Sequence, residues 1–192
     1  MPKRCPKKAA KRGDVAARLC KALAKSAKDE LIDVLVELAG EDRTILRRLA
    51  ARIELEAPPK ELAAATRQAI ADATNFDERD INRNFSYDYE AYSEVKRNLS
   101  RLIELGQWRL AMELSRELMK QGSYQVEMSD EGLMTDDIEE CLQVVIQALK
   151  KSGLPAEKVV GWCTAMLKSD RVGCICDEEL RTLRRRFQQS QS

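Results

Sequence analysis

The apolar positions of this chain recur every three or four residues over most of its length, the spacing of one face of an α-helix. Leu62, Ala65, Ala69, Ile70 and Ala73 predict a helix over 59–74, opened by the Pro58-Pro59 pair. Tyr92, Val95, Leu99, Leu102 and Ile103 predict a helix over 88–105 that stops at Gly106. Trp108, Ala111, Met112, Leu114, Leu118 and Met119 predict the next over 107–121, stopping at Gly122. Two amphipathic helices joined by a single punctuating residue make an αα-hairpin. A looser second copy follows. Ile138, Cys141, Leu142, Val145, Ile146 and Leu149 predict a helix over 136–151, with Asp136 and Glu139 spaced as a capping box. Pro155 then opens a helix carrying Val159, Trp162, Cys163 and Met166, and a last helix carries Leu180, Leu183 and Phe187. No segment alternates with the period of a strand. The expected fold is all-α: about eight or nine helices as stacked antiparallel hairpins, in a tetratricopeptide-like array.

The first third reads differently. Asp14 is placed to cap a helix with Val15, Leu19 and Leu23 at four-residue spacing. Residues 29–39 are apolar almost all round, which predicts a largely buried helix ended by Gly40. Asp42 then caps a helix with Ile45, Leu46, Leu49 and Ile53 on one stripe and Arg47, Arg48 and Arg52 opposite. The expected layout is a partly helical arm over 1–28, one helical-repeat domain over 29–188, and a disordered tail over 189–192.

Residues 75–87 form the main irregular stretch, and five of the nine aromatics fall between 76 and 92. Phe85, Tyr87, Tyr89 and Tyr92, together with Trp108 and Trp162, are expected to staple this stretch and the hairpins onto the core. Interleaved Arg79 and Arg83 leave base stacking as the competing reading.

Charge changes this picture. The net charge of +1 hides ten bases and one acid in residues 1–28, set against 23 bases and 31 acids afterwards. Lys3, Arg4, Lys7, Lys8, Lys11 and Arg12, with Arg184, Arg185 and Arg186 near the other end, are candidates for contact with nucleic-acid phosphates or an acidic partner. The same arm is equally readable as a solvated tail or as a partner for the acidic body. Residues 121–149 hold seven acids and no base. There Glu127, Asp130, Glu131, Asp136 and Asp137 are candidates for contact with a basic partner segment.

The chemistry the chain lacks is equally informative. With no histidine there is no Ser-His-Asp triad, no Cys-His dyad and no His-containing zinc site. Phosphate-cradling, dinucleotide and nucleophile-elbow motifs are absent, and no run approaches the roughly 18 apolar residues of a membrane span. Six cysteines without an export signal read as reduced cytosolic thiols. Cys20, Cys141 and Cys163 sit on or near apolar faces. Cys174 and Cys176 form a C-x-C pair, which supplies two of the four ligands of a structural metal site and is a weak metal candidate. Cys176 also precedes a helix start, where the dipole favours a reactive thiolate.

The segments LIDVLVELAGEDRTILRRL, LAAATRQAIADAT, NFSYDYEAY, VKRNLSRLIELGQWRLAMELSRELMK and MSDEGLMTDDIEECL, taken in order, resemble the helical region of bacterial SWIM zinc-finger proteins and related bacterial helical domains of unknown function. The resemblance covers roughly residues 29–168 and rests on pattern. It implies a tetratricopeptide-like array, with Asp130, Glu131 and Gly132 and the aromatics Phe85, Tyr87 and Tyr89 at the family's recurring positions. It attaches no activity to them. The zinc finger of that family needs C-x-C followed by C-x-H, and this chain has the first half only, so the finger's function does not carry over.

The expected function is therefore a non-enzymatic cytoplasmic scaffold that mediates protein–protein interaction, without cofactor, small-molecule substrate or membrane contact. The alternative is a nucleic-acid-associated protein that grips the phosphate backbone through the basic arm.

Overall fold

A computed structural model describes residues 8–50 and 57–189. Among the described residues there are ten helices and no strand, so the chain is all-α. It divides into two compact units, Met1–Glu54 and Leu55–Ser192. The division falls after residue 54, not at 28/29, so the apolar segment 29–39 belongs with the basic arm. Residues 1–7 of the arm and the tail at 190–192 lie outside the described residues.

The first unit contains α1 (Lys8–Leu23), α2 (Lys28–Glu41) and α3 (Arg43–Ala50). Asp14 does not cap α1, which has already begun at Lys8, and Gly40 lies inside α2. The α2 start is closed instead by Glu30, whose carboxylate accepts the Ala27 N–H at 3.0 Å. Asp42 does start α3, accepting the Thr44 N–H at 2.7 Å. The expectation of a buried 29–39 helix is overturned. No described residue of α2 is buried, and Ile32, Val34, Leu35, Val36 and Leu38 are 40–67% exposed. The cause is supply: α3 packs on α2, but eight residues cannot cover an apolar arc that spans more than half of a helix circumference. Val15, Leu19 and Leu23 of α1 and Leu46 of α3 are exposed as well.

The second unit contains α4 (Pro59–Thr74), α5 (Glu78–Asn84), α6 (Tyr89–Glu104), α7 (Trp108–Glu127), α8 (Thr135–Lys150), α9 (Ala156–Ser169) and α10 (Asp177–Gln189). Here apolar spacing becomes burial. Val95, Leu99, Leu102, Leu114, Leu118, Leu142, Val145, Ile146 and Leu149 are fully enclosed. Burial stabilises each such side chain by roughly 1.5–3 kcal/mol. Helix α4 packs on α6 and α7, α6 on α7 and α8, α7 on α8 and α9, and α10 on α8 and α9. The α6–α7 pair is the expected hairpin, turned at Gly106 with φ 68°. The partners of α9 are α7 and α10, rather than its sequence neighbour α8.

Three local readings are corrected. Helix α7 does not stop at Gly122 but runs through it to Glu127. A Cβ at Gly122 would stand 2.8 Å from Ile138 Cδ1, so this glycine lets α8 approach closely instead of ending a helix. The Asp136/Glu139 capping box does not form. Helix α8 begins at Thr135 with Met134 as its uncapped N-cap, so Asp136 already lies inside the helix, and Glu139 accepts the Cys176 N–H at 2.9 Å. The irregular stretch 75–87 contains the short helix α5, anchored by buried Ile81.

Buried polar groups tie the helices together. The Gln125 amide, wholly enclosed on α7, donates to the Ala73 carbonyl of α4 at 3.1 Å and accepts the Tyr92 hydroxyl of α6. Ser123 of α7 donates to the Ser169 carbonyl at the end of α9 at 3.2 Å. Such satisfied pairs fix which helix lies beside which, at little cost in desolvation.

Candidate docking cleft

Helix α7 runs antiparallel to α6 and turns its other side toward α9. Trp108, Met112 and Arg116 recur every four residues on that side, with Arg109 and Glu113 one residue on. Lys158, Gly161 and Trp162 of α9, and Leu154 just before it, face them. The two helices enclose a cleft of about 440 Å³ lined by these nine residues.

The floor is aromatic and already anchored. Trp162 is only 4% exposed, and its indole N–H donates to the Met112 carbonyl at 3.0 Å and the Ser115 hydroxyl at 3.2 Å. Its polar edge is thus satisfied inside the protein and its apolar body lines the cleft. Trp108, Met112 and Leu154 are half-buried beside it. Gly161 leaves open space where any other residue would put a Cβ. The rim is cationic. Arg109, Arg116 and Lys158 are exposed and form no ion pair among the described residues. Glu113 is the acid of the rim, and it is engaged: Arg67 of α4 donates to it at 2.6 Å and to Glu117 at 3.2 Å. Those two carboxylates hold the Arg67 guanidinium above its ordinary pKa.

The acids expected to meet a basic partner are dispersed. Glu127 pairs with Arg171, whose guanidinium also lies 5.0 Å over the Tyr124 ring. Asp137 accepts the Tyr87 hydroxyl at 2.6 Å. Burial, with that hydrogen bond second, pushes the Tyr87 phenol up to about 12. The Asp130 N–H is held by Asn82 at 2.9 Å, and Asp130 and Glu131 are exposed in the turn before α8. Asp136 lines a second groove of about 520 Å³ along α8 with Glu139, Glu140 and Lys96. There Lys96 is paired with Glu140 at 2.7 Å, which raises the lysine's pKa.

The aromatic staple divides. Tyr92 is buried and meets Tyr87 edge-on at 6.2 Å, so these two do staple the α6 start. Trp108 and Trp162 join the α7–α9 contact. Phe85 and Tyr89 do not staple anything; they are 58% and 59% exposed. Phe85 adopts the left-handed backbone, φ 51°, that ends many helices, and its N–H closes α5 on the Ile81 carbonyl at 3.0 Å.

The basic and sulfur candidates also change. Lys3, Arg4 and Lys7 lie outside the described residues, and the side chains of Lys8, Lys11 and Arg12 are not described. In α10, Arg184 is half-buried with its Nε enclosed, whereas Arg185 and Arg186 are exposed. Arg181 beside them is held by Asp177 at 2.7 Å. Cys174 is exposed and Cys176 buried, and among the described residues no group of three or more Cys, Asp and Glu side chains stands as a metal would need. Cys176 does not stand open at the α10 start: it is 2% exposed. Burial, with the Glu139 charge second, pushes its thiol up to about 12. Cys141 and Cys163 are enclosed, and burial likewise pushes each up to about 12. No helix among the described residues is long and apolar enough to cross a membrane.

Sequence reasoning named Trp108 and Trp162 but assigned them to structure alone. The i, i+4, i+8 series Trp108, Met112, Arg116 and the i, i+4 pair Lys158, Trp162 each place an aromatic beside a cation. That was the available signal. Comparisons with protein-family models, curated proteins and solved structures give no match to this chain.

Proposed function

We propose that the second unit is a non-enzymatic docking scaffold whose α7–α9 cleft takes a short acidic peptide segment with an aromatic or large aliphatic anchor. The observation that carries this reading is the composition of the cleft: a floor of two tryptophans, Met112 and Leu154 under three unpaired cations. Buried aromatics surrounded by arginine are the composition of interface hot spots. A volume near 440 Å³ suits one or two side chains of a partner rather than a whole helix. The partner charge favoured by this site is acidic, opposite to the basic segment expected from the 121–149 stretch, whose Glu127, Asp137 and Glu140 are engaged within the chain.

The test is a fluorescence-anisotropy titration of the full chain with a labelled peptide of alternating glutamate and phenylalanine. The expected result is saturable binding that weakens roughly tenfold or more in the Arg109→Glu, Arg116→Glu double variant. Equal binding of a lysine–phenylalanine peptide, or no loss in the double variant, would overturn the reading.

A further inference from the structure

Within the first unit, the described residues of α1, α2 and α3 leave much of their apolar surface uncovered. Val15, Leu19 and Leu23 of α1 form one exposed stripe, and Ile32, Leu35 and Val36 of α2 belong to another. Along with three further large side chains, they stand 40–67% exposed. Nine such side chains leave on the order of 700 Å² of apolar surface. A contiguous apolar patch on a lone soluble chain ordinarily spans a few hundred Å², and each partner in a stable interface contributes about 800 Å² of total surface.

Charge says what covers this surface. Over Lys8–Leu23, α1 carries Lys8, Lys11, Arg12, Arg18 and Lys21 against the single acid Asp14. Over Lys28–Glu41, α2 carries Asp29, Glu30, Asp33, Glu37 and Glu41 against the single base Lys28. Helix α1 is thus a basic amphipathic helix and α2 an acidic one, each with an open apolar face. They complement each other, yet within the first unit both faces stay exposed. A second copy supplies the missing match twice over, α1 of each on α2 of the other, which is the self-complementary pattern of a two-fold dimer.

We propose that the first unit is a dimerisation element, and that its occupant is a second copy of this chain, held by reciprocal α1–α2 pairing. The proposal is independent of the docking cleft, which lies wholly in the second unit. Apolar surface supplies the affinity, and the opposed charges set the pairing and its register.

Sedimentation velocity on the full chain tests it. The expected result is a concentration-dependent monomer–dimer equilibrium with a midpoint at or below about 10 µM. Leu19→Glu and Val36→Glu should each shift that midpoint upward roughly tenfold or more. A charge exchange guards against a variant that merely unfolds. Arg18→Glu with Lys21→Glu should weaken the dimer, and adding Asp33→Lys with Glu37→Lys should restore it. A monomer at all concentrations to about 100 µM, a larger assembly, or a dimer indifferent to these changes would overturn the proposal.

Discussion

Two regions of one chain carry similar apolar patterns and treat them in opposite ways. In the first unit Leu31 through Leu38 hold six large aliphatic side chains in eight positions, and none of them is buried. In the second, Leu142 through Leu149 carry five, and Leu142, Val145, Ile146 and Leu149 are fully enclosed. The difference is not in the helices but in their neighbours. Helix α8 has α6, α7 and α10 against it, whereas α2 has the short α3. A hydrophobic stripe is a demand for a partner, and only the fold decides whether the demand is met within the chain.

The largest way to break this comparison is alkali. Cys141, Cys163 and Cys176 are enclosed in the second unit, and burial holds each thiol near 12 against an ordinary value of 9. An unfolded chain releases these protons from about pH 9 upward, while the folded chain keeps them. The stability they confer is therefore fully present below pH 9 and is lost as pH rises toward 12. The loss is on the order of 1 kcal/mol per pH unit for each thiol. Urea unfolding followed by tryptophan fluorescence reports on the second unit alone, since Trp108 and Trp162 both lie there. Its midpoint should fall steeply between pH 9 and 11, and less steeply with Cys141→Ala. A flat profile would mean that these thiols are as open as Cys20.

A matched pair of truncations comes next. Leu142→Ala should cost the second unit about 2–5 kcal/mol in the same assay at neutral pH, the range for emptying an enclosed leucine site. Leu35→Ala removes the same atoms from a residue 42% exposed and should leave the tryptophan-detected transition within about 0.5 kcal/mol of the parent. Equal losses would show that the two units do not differ as their burial does.

The same contrast explains what the sequence disclosed. Periodicity located α4, α6 and α8, and the start of α9, nearly to the residue, because amphipathic spacing and Pro or Gly punctuation are local. Gly122 misled because a glycine that ends a helix and one that admits a neighbour look alike until Ile138, sixteen residues on, is placed against it. The Asp136/Glu139 pair misled because α8 begins one residue before Asp136, and Glu139 instead accepts the N–H of Cys176, 37 residues away. The 29–39 segment misled because apolar density predicts a need for burial, not its supply. The α7–α9 cleft was half legible: each helix showed an aromatic beside a cation, but which helices face each other is a property of the fold.

The smallest effect sharpens the comparison at its polar end. Gln125 is enclosed and joins three helices of the second unit through Ala73 and Tyr92. Replacing it with alanine leaves the Ala73 carbonyl and the Tyr92 hydroxyl buried without that partner, a cost of about 1–3 kcal/mol. Tyr92→Phe removes only the hydroxyl, leaves the Gln125–Ala73 bond in place and should cost nearer 1 kcal/mol. If the amide and the hydroxyl act as one unit, the double variant falls short of the sum of the two, because the second change deletes a group the first has already orphaned. An additive result would mean that water replaces the missing amide and that the pair does not hold α6 and α7 in register. Non-additivity would place the specificity of the second unit in a buried polar link as well as in its apolar core.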